Sequence, residues 1–184
     1  MPAEPGNSTF DAGSCGCSCR RAGVGRMTYK EVIERLNLQS LPDEGGYYRQ
    51  TWNSDVSTAI YFLLTPENNG FSALHTLSYV EIYHFYAGDS VQLLLFPPEE
   101  TSGEVQEVIL GNNLEKKEYP QFIVPAETTQ GSCLMNGGEW ALLGTTMAPP
   151  YSPETFKLSS RSKMLKAFPD YRDWIIRLTR EEEA

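Results

Sequence analysis

The chain has 184 residues, of which 40% are hydrophobic and 21% are charged, as expected for one globular domain with a substantial core. Its formal net charge of −9 argues against nucleic acid or an anionic membrane surface as the partner, because like charges repel. No apolar run reaches the roughly 18 residues of a membrane-spanning helix, and the N-terminus lacks a signal-peptide pattern, so we predict a cytoplasmic protein.

Residues 1–26 are predicted to form a disordered N-terminal tail, since they are rich in glycine, serine and proline and lack apolar periodicity. The tail holds Cys15, Cys17 and Cys19, whose alternating spacing differs from the Cys-x-x-Cys pattern of zinc sites. Binding of a soft metal or acylation is an alternative use of these thiols. The surrounding composition favours reduced cysteines without such a role.

The ordered pattern starts at Met27, which could also be the natural start of the protein. Thr28 and Glu31 have the spacing of a capping box, and apolar residues then recur at helical spacing up to Leu36. We therefore predict a helix over residues 28–37 that packs against the outside of the domain.

About nine segments with the character of β-strands follow, separated by turn sequences rich in glycine, proline and asparagine. Many short strands at regular spacing predict an antiparallel sandwich or barrel. The predicted strands are Tyr47–Asn53, Val56–Leu64, Phe71–Leu77, Glu81–Tyr86, Val91–Phe96, Val105–Leu110, Gln121–Val124, Gly131–Met135 and Trp140–Met147.

After Pro150 the strand pattern stops. Residues 151–158 are predicted to be an extended arm and residues 162–168 a short helical turn. A last helix follows, which Asp170 would cap. Residues 181–184 contain three glutamates at the C-terminal end of that helix, where the helix dipole disfavours negative charge, so the acidic tail is predicted to fray.

Both histidines of the chain, His75 and His84, lie in one stretch that also contains Glu81 and ends in Gly88. Strand alternation places His75 and Glu81 on one face of a hairpin and His84 on the opposite face, unless a β-bulge reverses it. An imidazole and a carboxylate on one face can bind a metal ion. They can also transfer protons, with the imidazole as the base and the carboxylate as the group that orients it.

The spacing of His75, Glu81 and Gly88 resembles the first motif of the cupin superfamily, with Leu77 where the motif has its second histidine. The second cupin motif resembles the segment 125–130, with Gln130 in place of the last metal-binding histidine. This resemblance implies an all-β fold, a cupin jelly-roll β-barrel over residues 27–180 with short α-helices flanking it at both ends.

Five motifs in the same order also resemble a small single-domain cupin family that is often labelled "predicted sugar epimerase" because of its likeness to dTDP-sugar epimerases. They are Glu44–Arg49, Ser57–Leu64, Glu81–Asp89, Val124–Ala126 with Gln130, and Ala148–Pro149. The resemblance implies a homodimer that binds a sugar or nucleotide sugar in its barrel. The implied reaction is epimerisation or isomerisation by proton abstraction next to a carbonyl.

For this reaction we predict His75 as the base, Glu81 as its orienter, and Tyr48 or Tyr61 as the acid on the other face of the ligand. Further candidates for ligand contacts in the cavity are Tyr47, Arg49, His84, Gln130 and Trp140. An arginine in an apolar barrel would need a carboxylate or a phosphate as its partner.

His75, Glu81 and Gln130 would offer a metal one imidazole, one carboxylate and one amide, a weaker set than zinc or iron prefers. We therefore predict no resident cofactor, with a weakly bound divalent ion as the alternative.

Two other functions are alternatives to the epimerase: a non-catalytic cupin that binds a ligand, and a structural protein like the seed-storage globulins. The latter predicts an occluded, apolar barrel, which the polar candidates argue against.

Overall fold

A computed structural model describes residues 26–67, 70–98 and 103–180 of the chain. The acidic tail, and the predicted N-terminal tail apart from Arg26, lie outside these residues. Within the described ranges the chain forms three short α-helices, α1 (Tyr29–Leu36), α2 (Arg161–Ala167) and α3 (Arg172–Arg177). None of the helices in this part of the chain is long and apolar enough to cross a membrane.

The same ranges contain eleven strands in two antiparallel sheets, and their order along the chain matches a jelly-roll barrel. The six-stranded sheet has the order β1-β2-β3-β10-β5-β8, and the five-stranded sheet has the order β11-β4-β9-β6-β7. The strands are β1 (Gln39–Ser40), β2 (Tyr47–Asn53), β3 (Thr58–Leu64), β4 (Ser72–Leu77), β5 (Glu81–Gly88), β6 (Val91–Phe96), β7 (Gln106–Leu110), β8 (Gln121–Val124), β9 (Thr129–Leu134), β10 (Ala141–Met147) and β11 (Phe156–Leu158). The predicted all-β jelly-roll fold is confirmed.

The main hydrophobic core lies between the two sheets, where alternate residues of facing strands meet, among them Phe62, Tyr83 and Leu93. Each sheet also buries part of its outer face under a helix. On the six-stranded sheet, α1 packs against residues such as Leu63. On the five-stranded sheet, α2 and α3 pack against residues such as Leu94. The flanking helices therefore stabilise the barrel without entering it.

The predicted N-cap of α1 is confirmed, because the Thr28 backbone N–H donates to the Glu31 carboxylate at 2.8 Å and the reciprocal bond of a capping box is also present. The predicted cap of the last helix is wrong. Asp170 lies inside a 3₁₀ turn that Pro169 starts, and α3 begins only after Tyr171, which makes no side-chain capping bond. Proline fixes its own φ at a helical value and so favours this earlier turn.

Strands β1 and β11 were not predicted as strands, because two and three residues are too few to show alternation. Both matter for the barrel. Strand β1 pairs with β2 at the edge of the six-stranded sheet, and β11 brings the C-terminal arm alongside β4, with Leu158 opposite His75.

Arg26, at the end of the predicted tail, contacts the barrel. Its guanidinium lies 2.6 Å from the Asp89 carboxylate and 3.3 Å from that of Glu139, and it lies over the ring of Trp140. The indole N–H of Trp140 donates to the carbonyl of Met27 at 2.6 Å. These contacts fix the direction in which the chain enters α1.

Gly88 ends β5 with a φ of +104°, and a Cβ atom there would lie 2.3 Å from the Trp140 carbonyl oxygen. Gly137 has a similar φ of +82°, but a Cβ atom there would meet nothing within 4 Å.

We therefore expect Gly137→Ala to lower the free energy of unfolding by about 1–2 kcal/mol, from backbone strain alone. Gly88→Ala should lower the free energy of unfolding by a further ~1–3 kcal/mol, because its Cβ atom also clashes with the Trp140 carbonyl. Urea denaturation of both variants measures the difference, and equal losses would contradict the assigned packing.

Candidate functional site

A cavity of about 500 Å³ lies in the barrel and is lined by residues from both sheets. Its volume is in the range that holds small organic ligands. The polar and aromatic residues that the following argument uses are Glu44, Tyr48, His75, Glu81, Tyr151 and Phe156.

His75 lies on β4 with 2% of its surface exposed, and it lines the cavity. Its Nδ1 lies 2.8 Å from the carbonyl oxygen of Ala73. Because a carbonyl oxygen can only accept, Nδ1 carries the proton, and in the neutral ring Nε2 keeps its lone pair. The ring of Phe156 stacks on the imidazole with 5.1 Å between centroids. Backbone and stacking together hold His75 in one orientation with a basic nitrogen.

Glu81 starts β5 and is 7% exposed. The side-chain amide of Gln130 donates to its Oε2 at 2.7 Å. Burial raises the pKa of the Glu81 carboxyl, and the nearby charge of Glu44 raises it further; the charge of His75 and hydrogen bonds from Thr145 and Gln130 oppose this rise in part. The carboxyl therefore tends to keep a proton to higher pH than an exposed glutamic acid does.

The two groups share the cavity without the predicted orienting hydrogen bond between them. The bond that orients the imidazole goes to the carbonyl of Ala73, while the carboxyl of Glu81 is bonded to Gln130 and Thr145. Their interaction is electrostatic, through the effect of His75 on the pKa of Glu81. This arrangement leaves each group able to act on a ligand separately.

Among the tyrosines and the arginine predicted near the cavity, the structure brings Tyr48 to its wall and leaves the others outside. Tyr47, Arg49 and Tyr61 lie on the outer face of the six-stranded sheet, where the guanidinium of Arg49 lies 5.3 Å from the ring centre of Tyr61. The Tyr47 hydroxyl donates to Glu67 at 3.1 Å. Alternation along β2 turns Tyr48 inward and both of its neighbours outward.

Trp140 and His84 also lie outside the cavity. Trp140 belongs to the cluster under α1. His84 lies on the outer face of β5, with Nε2 3.1 Å from the Thr146 hydroxyl and Nδ1 3.3 Å from the Gln121 amide. The opposite orientations predicted for His84 and Glu81 agree with the structure. Gln130 is buried and reaches the cavity indirectly, through its bond to Glu81.

Sequence reasoning missed Glu44, which lies between β1 and β2 and lines the cavity. Its Oε1 accepts a hydrogen bond of 2.6 Å from the Ser72 hydroxyl, and its backbone carbonyl accepts one from Ala73. The signal in the sequence was the pair that follows, Gly45 and Gly46, both of which have positive φ and let the chain turn sharply. Such a turn marks a loop that lies close to its neighbours.

The C-terminal arm supplies two further residues of the cavity wall that the sequence did not indicate, Tyr151 and Phe156. Aromatic residues in an arm without periodicity give no sign of which surface they cover. Their place here follows from the pairing of β11 with β4.

The residues present do not fit the metal site of a typical cupin. Leu77 and Gln130 occupy the positions of two metal-binding histidines, and the amide of Gln130 is engaged as a donor to Glu81. In the part of the chain that the structure describes, no group of three or more histidine, cysteine, aspartate or glutamate side chains is arranged to hold a metal ion. Organic ligands suit this cavity better than a tightly bound ion.

Cupins are one class of protein built on a jelly-roll barrel, and comparison with known proteins places the chain in that class. Residues 30–159 match the family described as Cupin superfamily (DUF985), to which the chain belongs. Protein SO0799 from Shewanella oneidensis is 30% identical, with a TM-score of 0.76, over 85% of this chain and 99% of its own. A hypothetical protein from Leishmania major is 26% identical, with a TM-score of 0.74, over 84% of this chain and 100% of its own.

A more distant cupin 2 domain-containing protein from Halorhodospira halophila shares the fold alone. It is 9% identical, with a TM-score of 0.53, over 78% of this chain and 89% of its own. No curated protein matches the chain in sequence.

The raised pKa of Glu81 makes the stability of the protein depend on pH. The folded protein holds the proton of Glu81 more tightly than the unfolded chain does, so protonation of Glu81 adds to the free energy of unfolding. This contribution is fully present below the ordinary pKa of 4.5, and it is lost as the pH rises through the raised pKa of the folded state. We expect the free energy of unfolding of the wild type to fall over this window relative to Glu81→Gln, which has no titrating group there. Urea denaturation of both proteins between about pH 4 and pH 8 tests this, and parallel curves would contradict it.

Purified protein is expected to carry far less than one equivalent of zinc, iron, manganese or nickel by elemental analysis. The double variant Leu77→His/Gln130→His, which rebuilds the four-residue ligand set with His75 and Glu81, should gain metal. The single variant Leu77→His is the matched control and should gain less. Stoichiometric metal in the wild type that survives a chelator would show that we have misjudged the donor set.

Proposed function

We propose that this cupin binds a small polar carbonyl compound of the sugar class in its barrel and catalyses its epimerisation or isomerisation. The observation that carries this proposal is the pairing, in one cavity, of a fixed imidazole with a free Nε2 lone pair and a buried carboxyl with a raised pKa. A base and an acid that face the same cavity are the arrangement that general acid–base catalysis needs.

In the proposed reaction His75 removes the proton from the carbon next to the carbonyl through Nε2. Glu81 donates its proton to the carbonyl oxygen, so that a neutral enediol forms instead of an enolate. Tyr48 is the candidate that returns a proton to the original carbon from the other face, because it lies on the cavity wall. In the same step the enediol oxygen gives its proton back to Glu81, which re-forms the carbonyl and leaves the centre inverted. Exchange with solvent then restores the starting protonation states of His75 and Tyr48.

The alternative is a non-catalytic cupin that only binds its ligand. One observation favours the binder: the bonds described for His75 and Glu81 include none between the two residues. A catalytic base is usually oriented by a hydrogen bond to a neighbouring acidic side chain. A storage-type structural role has less support, because the cavity is large and carries several ionisable groups.

Exchange of carbon-bound hydrogen with solvent separates the enzyme from the binder. In D₂O the wild type should incorporate deuterium next to the carbonyl of a substrate from a panel of aldoses, ketoses and amino sugars, as observed by proton NMR. His75→Gln should slow this exchange by a factor of about 10² or more, since a general base contributes on that order.

The matched control is His84→Gln, because His84 lies on the outer face of the barrel. This variant should keep the wild-type exchange rate. If ligands bind while no hydrogen exchanges, the protein is a binder, and if His84→Gln is as slow as His75→Gln, the cavity is not the reaction site.

We also propose a homodimer that uses the outer face of the six-stranded sheet beyond α1, where Ile123 is 57% and Tyr86 50% exposed. Sedimentation analysis should show a dimer for the wild type and a weakened dimer for Ile123→Lys. Leu114→Lys changes an apolar residue that is 69% exposed on a separate 3₁₀ turn and should leave association unchanged. A wild-type monomer at all concentrations would disprove the dimer.

A further inference from the structure

The ionisable side chains around the cavity are mostly acidic. Asp43, Glu44 and Glu81 line it, while His75 is the one basic side chain among the described lining residues, which include no lysine or arginine. Arg49, the residue predicted to pair with a carboxylate or a phosphate in the cavity, lies on the outer face of the sheet. A phosphate or pyrophosphate group in this cavity would therefore face carboxylates without a strong cation to bind it.

Glu44 is intermediate in exposure between Asp43 and Glu81, and no ion pair is described for it. It is half-buried, and its described side-chain bond is the one from the Ser72 hydroxyl at 2.6 Å. Its charge contributes to raising the pKa of Glu81, of Tyr83 and of Tyr151, which lie around it. Glu44 is therefore an acidic group of the cavity wall that acts on several neighbouring side chains.

Aromatic rings form the other part of the same wall. Tyr48, Tyr151 and Phe156 all line the cavity together with Glu44. The faces of aromatic rings attract cations, and a carboxylate next to them adds a charge-assisted hydrogen bond for an N–H donor. Carboxylate and rings together have the composition of a site for an organic ammonium group.

We propose that the ligand of this cavity carries an ammonium group, which Glu44 and the neighbouring aromatic rings bind, and that it carries no phosphate. The substrate class is a hydroxylated amine with a carbonyl group, such as an amino sugar. This inference rests on the proposed function for the carbonyl chemistry, but the binding of the ammonium group can be tested without turnover.

The test is calorimetric titration of the full chain with four probes that share one sugar ring: D-glucosamine, N-acetyl-D-glucosamine, D-glucose and D-glucose 6-phosphate. A charge-assisted contact to Glu44 should make glucosamine bind about ten-fold or more tightly than the two uncharged sugars. The phosphate should bind more weakly than glucose. Because the probes are compared on the wild type, this result does not depend on the folding of any variant.

The variant Glu44→Gln keeps an acceptor for Ser72 and removes the charge, so the preference for glucosamine over glucose should disappear. Glu115→Gln removes the same charge from an exposed 3₁₀ turn outside the cavity lining and should keep the preference. Failure of glucosamine to bind at millimolar concentration, equal affinity for all sugars, tighter binding of the phosphate, or a preference that survives in Glu44→Gln would each overturn the inference.

Failure of the two proposals can be told apart. If glucosamine binds through Glu44 but exchanges no deuterium, the ammonium site stands and the enzymatic function fails. If glucose exchanges deuterium through His75 and shows no disadvantage against glucosamine, the enzymatic function stands and the ammonium site fails.

Discussion

The hydrogen bond from Gln130 to Glu81 joins the two sheets inside the barrel, because Gln130 lies on β9 of one sheet and Glu81 on β5 of the other. A buried carboxyl without a partner would destabilise the fold by several kcal/mol at roughly neutral pH. The amide stabilises the carboxyl without adding a charge, so the Glu81 pKa stays raised. A histidine at position 130, as in metal-binding cupins, would instead offer a ligand nitrogen. Position 130 therefore supplies a hydrogen bond to Glu81 in place of a metal ligand.

The cavity is assembled from distant parts of the chain around this bond. The loop before β2 contributes Glu44, β4 contributes His75, and the C-terminal arm contributes Tyr151 and Phe156. The arm is held by pairing of β11 with β4 and by stacking of Phe156 on the imidazole. The imidazole of His75 and the carboxyl groups of Glu81 and Glu44 therefore face one volume, and burial raises the pKa of the Glu81 carboxyl.

Whether a side chain faces the interior of the barrel or its outer surface separates the roles of similar residues. His75 and His84 are both histidines near Glu81 in the sequence, yet one has a free lone pair in the cavity and the other is engaged by Thr146 and Gln121 on the outside. Arg49 likewise leaves the interior to the carboxylates. The described lining residues of the cavity consequently include carboxylates and no arginine or lysine.

Sequence alone determined the all-β fold, most strand positions, the capped first helix and the relative orientations of His75, Glu81 and His84, because these depend on local periodicity. Alternation also separated Tyr48 from Tyr47 and Arg49, but it could not say which set faces inward. That depends on which face of β2 meets the other sheet and which meets α1. Tyr151 and Phe156 lie in a segment without periodicity, so their places in the cavity came from tertiary structure alone. For Glu44 the following glycine pair indicates a turn in the chain, but not the surface that the turn faces. The partner of Glu81 was decided in the same way, since the distance between two sheets is a property of packing and not of spacing along the chain.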